Sequence, residues 1–186
     1  DLAGNVYAVN AATGAELWRI KADAHPLARV VGSVVFHNGR LYVPVASAEE
    51  TAGASSTYEC CTFRGSVGAY DAATGKQIWK TYTIDEPKPT RKNAIGTQMY
   101  GPSGGGIWSS PAIDPVKNVV YATTGDNYSA PASTMSDSFI ALDRDSGKIL
   151  WARQMTVGDA WNTACRVADK TNCPDEKAPE IGRAHV

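Results

Sequence analysis

The chain has 186 residues, 43% of them apolar and 20% charged, a balance that suits a globular fold and excludes intrinsic disorder. Lysine and arginine total 18 against 19 acidic residues, a formal charge of −1, so composition offers no basic patch for nucleic acid or an anionic membrane. No apolar run approaches the ~20 residues needed to span a bilayer.

In chain order, Val6-Tyr7-Ala8-Val9 reads as an alternating strand that enters the turn Asn10-Ala11-Ala12-Thr13-Gly14. The Asn side chain caps its own backbone there, and the Gly supplies a positive φ. A second strand follows and ends in Trp18, a large flat group suited to packing between neighbouring sheets. The unit Ala-x-Asp/Asn-x-x-Thr/Ser-Gly-x-x-apolar-Trp recurs at Ala69–Trp79 and again at Ala141–Trp151. Between the copies lie further alternating runs. Arg29 to Phe36 and Arg40 to Val45 flank the turn His37-Asn38-Gly39, and Ala112-Ile113-Asp114-Pro115 turns into Asn118 to Thr123. These supply the other two strands of four-stranded antiparallel blades, so the fold expected is all-β and built from repeats. The tryptophans are 61 and 72 residues apart, whereas a plain blade needs ~40–50, so both intervals carry insertions. The insertions fall at residues 46–63 and 85–106, and connections this long are more often functional than filler. The repeat alone suits a non-catalytic scaffold that binds proteins equally well.

Four motifs have no use in a scaffold. The first is Tyr58-Glu59-Cys60-Cys61-Thr62-Phe63-Arg64-Gly65-Ser66, whose adjacent cysteines either close a strained eight-membered ring or stay as separate buried thiols. The second is Gly104-Gly105-Gly106-Ile107-Trp108, where glycines let the backbone pass close to something flat. The third is Thr123-Thr124-Gly125-Asp126-Asn127, a strand end rich in oxygen donors of the kind calcium takes, and Ala46-Ser47-Ala48-Glu49-Glu50 offers companion carboxylates. The fourth is Val157-Gly158-Asp159-Ala160-Trp161-Asn162. Cys165 and Cys173 could close a loop in an oxidising compartment; with no Cys-x-x-Cys spacing and no His partner, they argue against zinc.

With these motifs in this order, residues 1 to about 179 resemble the pyrroloquinoline quinone (PQQ)-dependent quinoprotein dehydrogenases, and within them the polyvinyl-alcohol dehydrogenases. The resemblance implies part of an eight-bladed β-propeller, about three blades, with tryptophan-docking motifs. It implies a vicinal disulfide Cys60–Cys61 lying flat on one face of the quinone and Trp108 stacking on the other. Arg64, with Ser47 and Gly106, would complete the cofactor contacts. It places a calcium ligand at Asp126 beside Asn127, with Glu50 or Glu49 as companion. Related alcohol dehydrogenases carry a catalytic Asp where this chain has Asn162. Asp159 moving in as base, a base from elsewhere, or an inactive site all remain open, with a displaced base favoured. Further implications are a periplasmic location, a secondary alcohol as substrate (polyvinyl alcohol first) and a c-type cytochrome as electron acceptor. The competing class is a propeller scaffold of the outer-membrane assembly type. Three blades cannot close a ring, so a piece of this size is expected to be inactive alone.

The last residues, Ile181-Gly182-Arg183-Ala184-His185-Val186, match one reading frame of a widely used sequencing adapter, with Glu180 supplying the leading bases. Native sequence is therefore expected to end near Pro179, and 180–186 to be read-through.

Overall fold

The computed structural model describes residues 1–177, and the expected adapter tail lies outside them. The first two strands, β1 (Asn5–Val9) and β2 (Glu16–Lys21), form a two-stranded antiparallel sheet. Next come β3 (Ala28–Arg29), β4 (Val35–His37), β5 (Arg40–Ser47), the short helix α1 (Glu49–Ala52), β6 (Ser66–Asp71) and β7 (Gln77–Tyr82). Strands β4, β5, β6 and β7 make a complete antiparallel blade, and β3 extends it by pairing with the far end of β5. The connection to the next blade carries β8 (Lys88–Lys92), β9 (Gln98–Gly101) and β10 (Ser103–Gly104). The second complete blade is β11 (Ala112–Asp114), β12 (Val119–Thr123), β14 (Ser138–Asp143) and β15 (Ile149–Gln154), with β13 (Asn127–Ser129) pairing β10 instead. The described residues thus hold two four-stranded blades and two strands of a third, as the repeat predicts.

One expected strand is split. The run from Arg29 to Phe36 is interrupted because Gly32 passes directly over another backbone. A Cβ there would meet the carbonyl oxygens of Ser109 and Trp108 at 2.8 and 2.9 Å, and Ser33 donates its N–H to Ser110 Oγ at 3.1 Å.

The repeat explains how the blades are joined. In each copy the turn carboxylate or amide accepts local bonds: Asp71 from Thr74 N and Oγ1 at 2.8 and 2.7 Å, Asp143 from Ser146 N and Oγ at 2.8 and 2.7 Å. The following Gly75 and Gly147 have φ of +72° and +73°, and each lies under the tryptophan of the preceding blade. Trp18 Nε1 donates to Ala72 O and Trp79 Nε1 to Arg144 O, both at 3.1 Å. A Cβ on Gly147 would sit 2.5 Å from Trp79 Cε3, so only glycine admits the indole. The third tryptophan, Trp151, is 49% exposed and touches Tyr121 of its own blade.

Strand β5 runs between two cores. Val43 and Val45 pack with Phe63, Tyr70 and Tyr128, while Tyr42 faces the other way among Val67, Trp79, Ile140 and Leu142. Its register with β6 pairs Val45 with Ser66, and β6 pairs Ser66 with Tyr82; in the other blade Ser138 pairs with Gln154. The short Asp-x-x-Thr/Ser-Gly turns therefore lie at one end of the sheets. Four long connections, residues 48–65, 83–111, 124–137 and 155–173, leave from the opposite end and emerge together there.

Candidate functional site

Backbone bonds knit these four connections into one layer. Gly65 N donates to Gly104 O at 2.8 Å, Gly105 N to Asp126 O at 2.7 Å and Trp161 N to Asn127 O at 2.7 Å. A Cβ on Gly65 would lie 1.8 Å from Gly105 O. Glycine at 65 and 104 is thus required by chain crossing chain at this end.

Within the layer, Glu49 is fully buried at the start of α1. Its carboxylate accepts from Phe63 N at 2.7 Å, Thr62 N at 2.8 Å and Tyr58 Oη at 3.0 Å, and it lies 3.4 Å from His25 Nε2. Burial works to raise its pKa, but the bonds from His25, Thr62 and Phe63 outweigh burial and hold the carboxyl below its usual range. Glu49 therefore anchors the segment that follows the vicinal cysteines. Ser47 is equally enclosed, its Oγ accepting from Glu49 N at 3.1 Å.

Cys60 and Cys61 form a disulfide, as do Cys165 and Cys173. Neither vicinal cysteine has exposed surface. Asn162 Nδ2 lies 3.8 Å from Cys60 Sγ and the Tyr128 carbonyl 3.9 Å from Cys61 Sγ, while a Cβ on Gly53 would lie 3.1 Å from Cys60 Sγ. Asn162 is itself buried and fully engaged: Nδ2 donates to Tyr128 O at 2.9 Å and Asn172 O at 3.0 Å, and Oδ1 accepts from Ala164 N at 2.9 Å. Asn172, inside the second disulfide loop, donates to Ser55 O at 2.7 Å, and Asn93 Nδ2 donates to Asn172 Oδ1 at 2.8 Å. Asn162 and Asn172 thus clamp the vicinal-cysteine segment.

Arg64 donates through Nε and Nη2 to Ile84 O at 3.0 and 2.8 Å and lies 3.9 Å over the Tyr82 ring. Gly106 is wedged among Tyr128, Ala46 and Trp108, and Trp108 is half-buried with its indole edge at Gly125. Asn127 is buried, donating to Ser136 Oγ and Asp159 O at 2.6 and 3.0 Å and accepting from Ser133 N at 3.0 Å.

Asp126 differs from these in having little to hold it. It is 5% exposed, and Oδ2 has no hydrogen-bond partner among the described residues. Burial, then the charges of Glu50, Asp159 and Asp137, hold its pKa well above the usual carboxylate range. Asp137 is raised to about 7 by burial and by Asp159. Fully buried Tyr128 is raised by burial and by Asp126 and Glu50. Asp126 and Glu50 share one electrostatic neighbourhood. Asp137 and Tyr128 were not anticipated. Asp137 lies in a Ser-Asp-Ser stretch with no distinguishing spacing, and Tyr128 merely follows a motif.

The donor chemistry fits a hard cation: the carboxylates of Glu50, Asp159 and Asp137 repel that of Asp126, whose Oδ2 has no donor among the described residues. The ligand set is incomplete, because among the described residues no group of three His, Cys, Asp or Glu could hold a metal ion. The vicinal disulfide and Trp108, the two groups expected to flank a quinone, both lie in this layer, with Asn162 and the Tyr128 carbonyl packed against the sulfurs.

The fold defines part of a β-propeller built from tryptophan-joined four-stranded blades. The family model described as glucose/ethanol/alcohol dehydrogenase, β-propeller domain, matches residues 46–168, and the chain belongs to that family. A model of the outer membrane protein assembly factor BamB also matches residues 2–81. A polyvinylalcohol dehydrogenase of a Pseudomonas species is 41% identical over 175 residues, covering 94% of this chain and 27% of its own length. That of a Sphingopyxis species is 38% identical over 191 residues, covering 100% and 29%. Among solved structures, a quinohemoprotein alcohol dehydrogenase of Pseudomonas putida superposes with a TM-score of 0.67 at 27% identity, over 87% of this chain and 25% of that one. The chain spans less than a third of the length of these relatives.

Proposed function

We propose that the chain is part of a PQQ- and calcium-dependent dehydrogenase that oxidises secondary alcohols, with polyvinyl alcohol as the first substrate to test. The observation that carries this reading is the buried, mutually repelling carboxylate group around Asp126, set where four long connections converge in a chain of this family. A propeller scaffold, the reading with the 2–81 match behind it, has no need of such a costly cluster.

Asp126 and Glu50 would hold the ion, with Asp137 alongside, and a bound calcium supplies a Lewis-acidic charge at the site. Asp159 is the proposed base that takes the hydroxyl proton on its carboxylate. Asn162 offers no basic atom, and its amide is engaged in the clamp. The glycine crossings and the Asn162–Asn172 clamp give the site a rigid floor. The disulfides suit a periplasmic location, and a c-type cytochrome is the proposed electron acceptor.

The test uses the intact protein reconstituted with PQQ and calcium, following reduction of an artificial acceptor with polyvinyl alcohol as donor. Quinone-dependent turnover that a chelator abolishes is the expected result. A folded protein that binds no quinone and turns over no alcohol would return the chain to the scaffold class.

A further inference from the structure

The repeat isolates a second site at the other end of the blades. In the first two copies the residues after the turn Asn or Asp are Ala11-Ala12 and Ala72-Ala73; in the third they are Arg144-Asp145. Blade joining does not ask for this change. Trp18 and Trp79 make the same 3.1 Å bond to the main-chain oxygens of Ala72 and Arg144, so the side chain at that position is not needed for docking.

The Arg144 side chain instead closes a cavity of about 230 Å³ between the two complete blades, lined by His37, Asn38, Arg40, Tyr42, Arg144 and Asp145. Arg144 Nη1 lies 2.9 Å from His37 Nε2; because a guanidinium only donates, Nε2 is the acceptor. Arg40 reaches across the blades to Arg144 O at 3.2 Å and Asp145 Oδ1 at 2.8 Å, and Asn118 Nδ2 donates to Asp145 Oδ2 at 2.9 Å. One carboxylate is thus shared by an arginine and an amide, which leaves the cavity with two guanidinium groups against a single negative charge. On its floor Tyr42, with no exposed surface, turns its hydroxyl toward Arg40 without reaching hydrogen-bonding geometry, and that hydroxyl has no partner among the described residues. A buried hydroxyl left unbonded is costly, and here it lines a polar space between two cations.

We propose that this cavity binds a small tetrahedral oxyanion, phosphate or sulfate, held by Arg40 and Arg144 with Tyr42 Oη donating from below. Guanidinium groups suit such oxygens by charge and by geometry. The anion would bridge the blades at the end opposite the carboxylate layer, and the site does not depend on the dehydrogenase reading.

Thermal unfolding of the intact protein is followed in rising phosphate, sulfate and chloride at matched ionic strength, with phosphorus-31 line broadening as a direct probe. Phosphate and sulfate should raise the midpoint in a saturable way that chloride does not. Arg144→Gln should weaken the apparent affinity at least about tenfold, and Tyr42→Phe about threefold to tenfold. Tyr42→Phe only removes an unbonded hydroxyl, so it keeps the test available if Arg144→Gln does not fold. Equal shifts in all three salts, or an oxyanion response unchanged in Tyr42→Phe, would overturn the proposal.

Discussion

Replacing Glu49 by glutamine separates two roles for a carboxylate that its sequence position alone leaves undecided. As a calcium ligand its loss would weaken metal binding and leave the metal-free fold intact. The structure instead makes it the buried acceptor for Phe63 N, Thr62 N and Tyr58 Oη, beside His25. Hydrogen bonds to a charged group contribute ~1.5–3 kcal/mol each. Glutamine keeps one carbonyl oxygen but turns an N–H₂ toward a main-chain N–H, so one strong bond is lost and one donor is stranded. The expected loss is about 3 kcal/mol, and Glu49→Ala should reach about 3–5 kcal/mol. Urea unfolding of the intact protein, with calcium chelated, measures it. Reduction of Cys60–Cys61 by dithiothreitol should quicken in parallel, because the anchor of the adjoining segment is gone. A change below about 1 kcal/mol, together with weakened calcium affinity, would refute the anchoring role and return Glu49 to the metal site.

Gly147→Ala should destabilise by at least about 3 kcal/mol, since it combines a left-handed φ with a clash against Trp79, whereas Gly14→Ala, with the same φ and nothing within 4 Å, should cost about 1–2 kcal/mol. Parallel denaturant titrations compare the two. Asn162→Asp should not restore a base: it sets a carboxylate against the carbonyls of Tyr128 and Asn172, and should lower stability by about 2–4 kcal/mol without raising turnover. Asp137 has a folded pKa of about 7 against 3.8 unfolded, so the folded chain binds the proton more tightly. Its contribution is full below about pH 4 and is lost as pH rises toward 7. Without calcium, stability should fall across that window, and Asp137→Asn should flatten the slope in a pH series of unfolding midpoints.

Much of the fold was legible because the repeat carries its own chemistry. An Asp or Asn cap, a positive-φ glycine and a tryptophan recur in order, and each has one physical use in the blade joint. The interrupted strand at residues 30–34 was not legible, because the cause is Gly32 crossing the backbone of Trp108 and Ser109, a contact across 76 residues. In the site, Asp126 and Glu50 stood out as oxygen donors at strand ends. Glu49, its neighbour, looks identical in sequence, and only the arrival of the 62–63 amides decides its role. The clamp was hidden for the same reason: Asn162 and Asn172 are ordinary residues until the Cys165–Cys173 loop folds back over Cys60. Arg64 read as an anion binder, yet it is held by the Ile84 carbonyl and the Tyr82 ring.

Asp126 is the carboxylate that a bound cation would relieve. The most direct measurement is a calorimetric calcium titration of the intact protein and its Asp126→Asn variant, followed by PQQ-dependent turnover of polyvinyl alcohol on the same samples. The variant should fold at least as stably as the parent without calcium, bind calcium at least about tenfold more weakly and lose turnover. Unchanged calcium affinity and unchanged turnover in a folded Asp126→Asn protein would contradict that role.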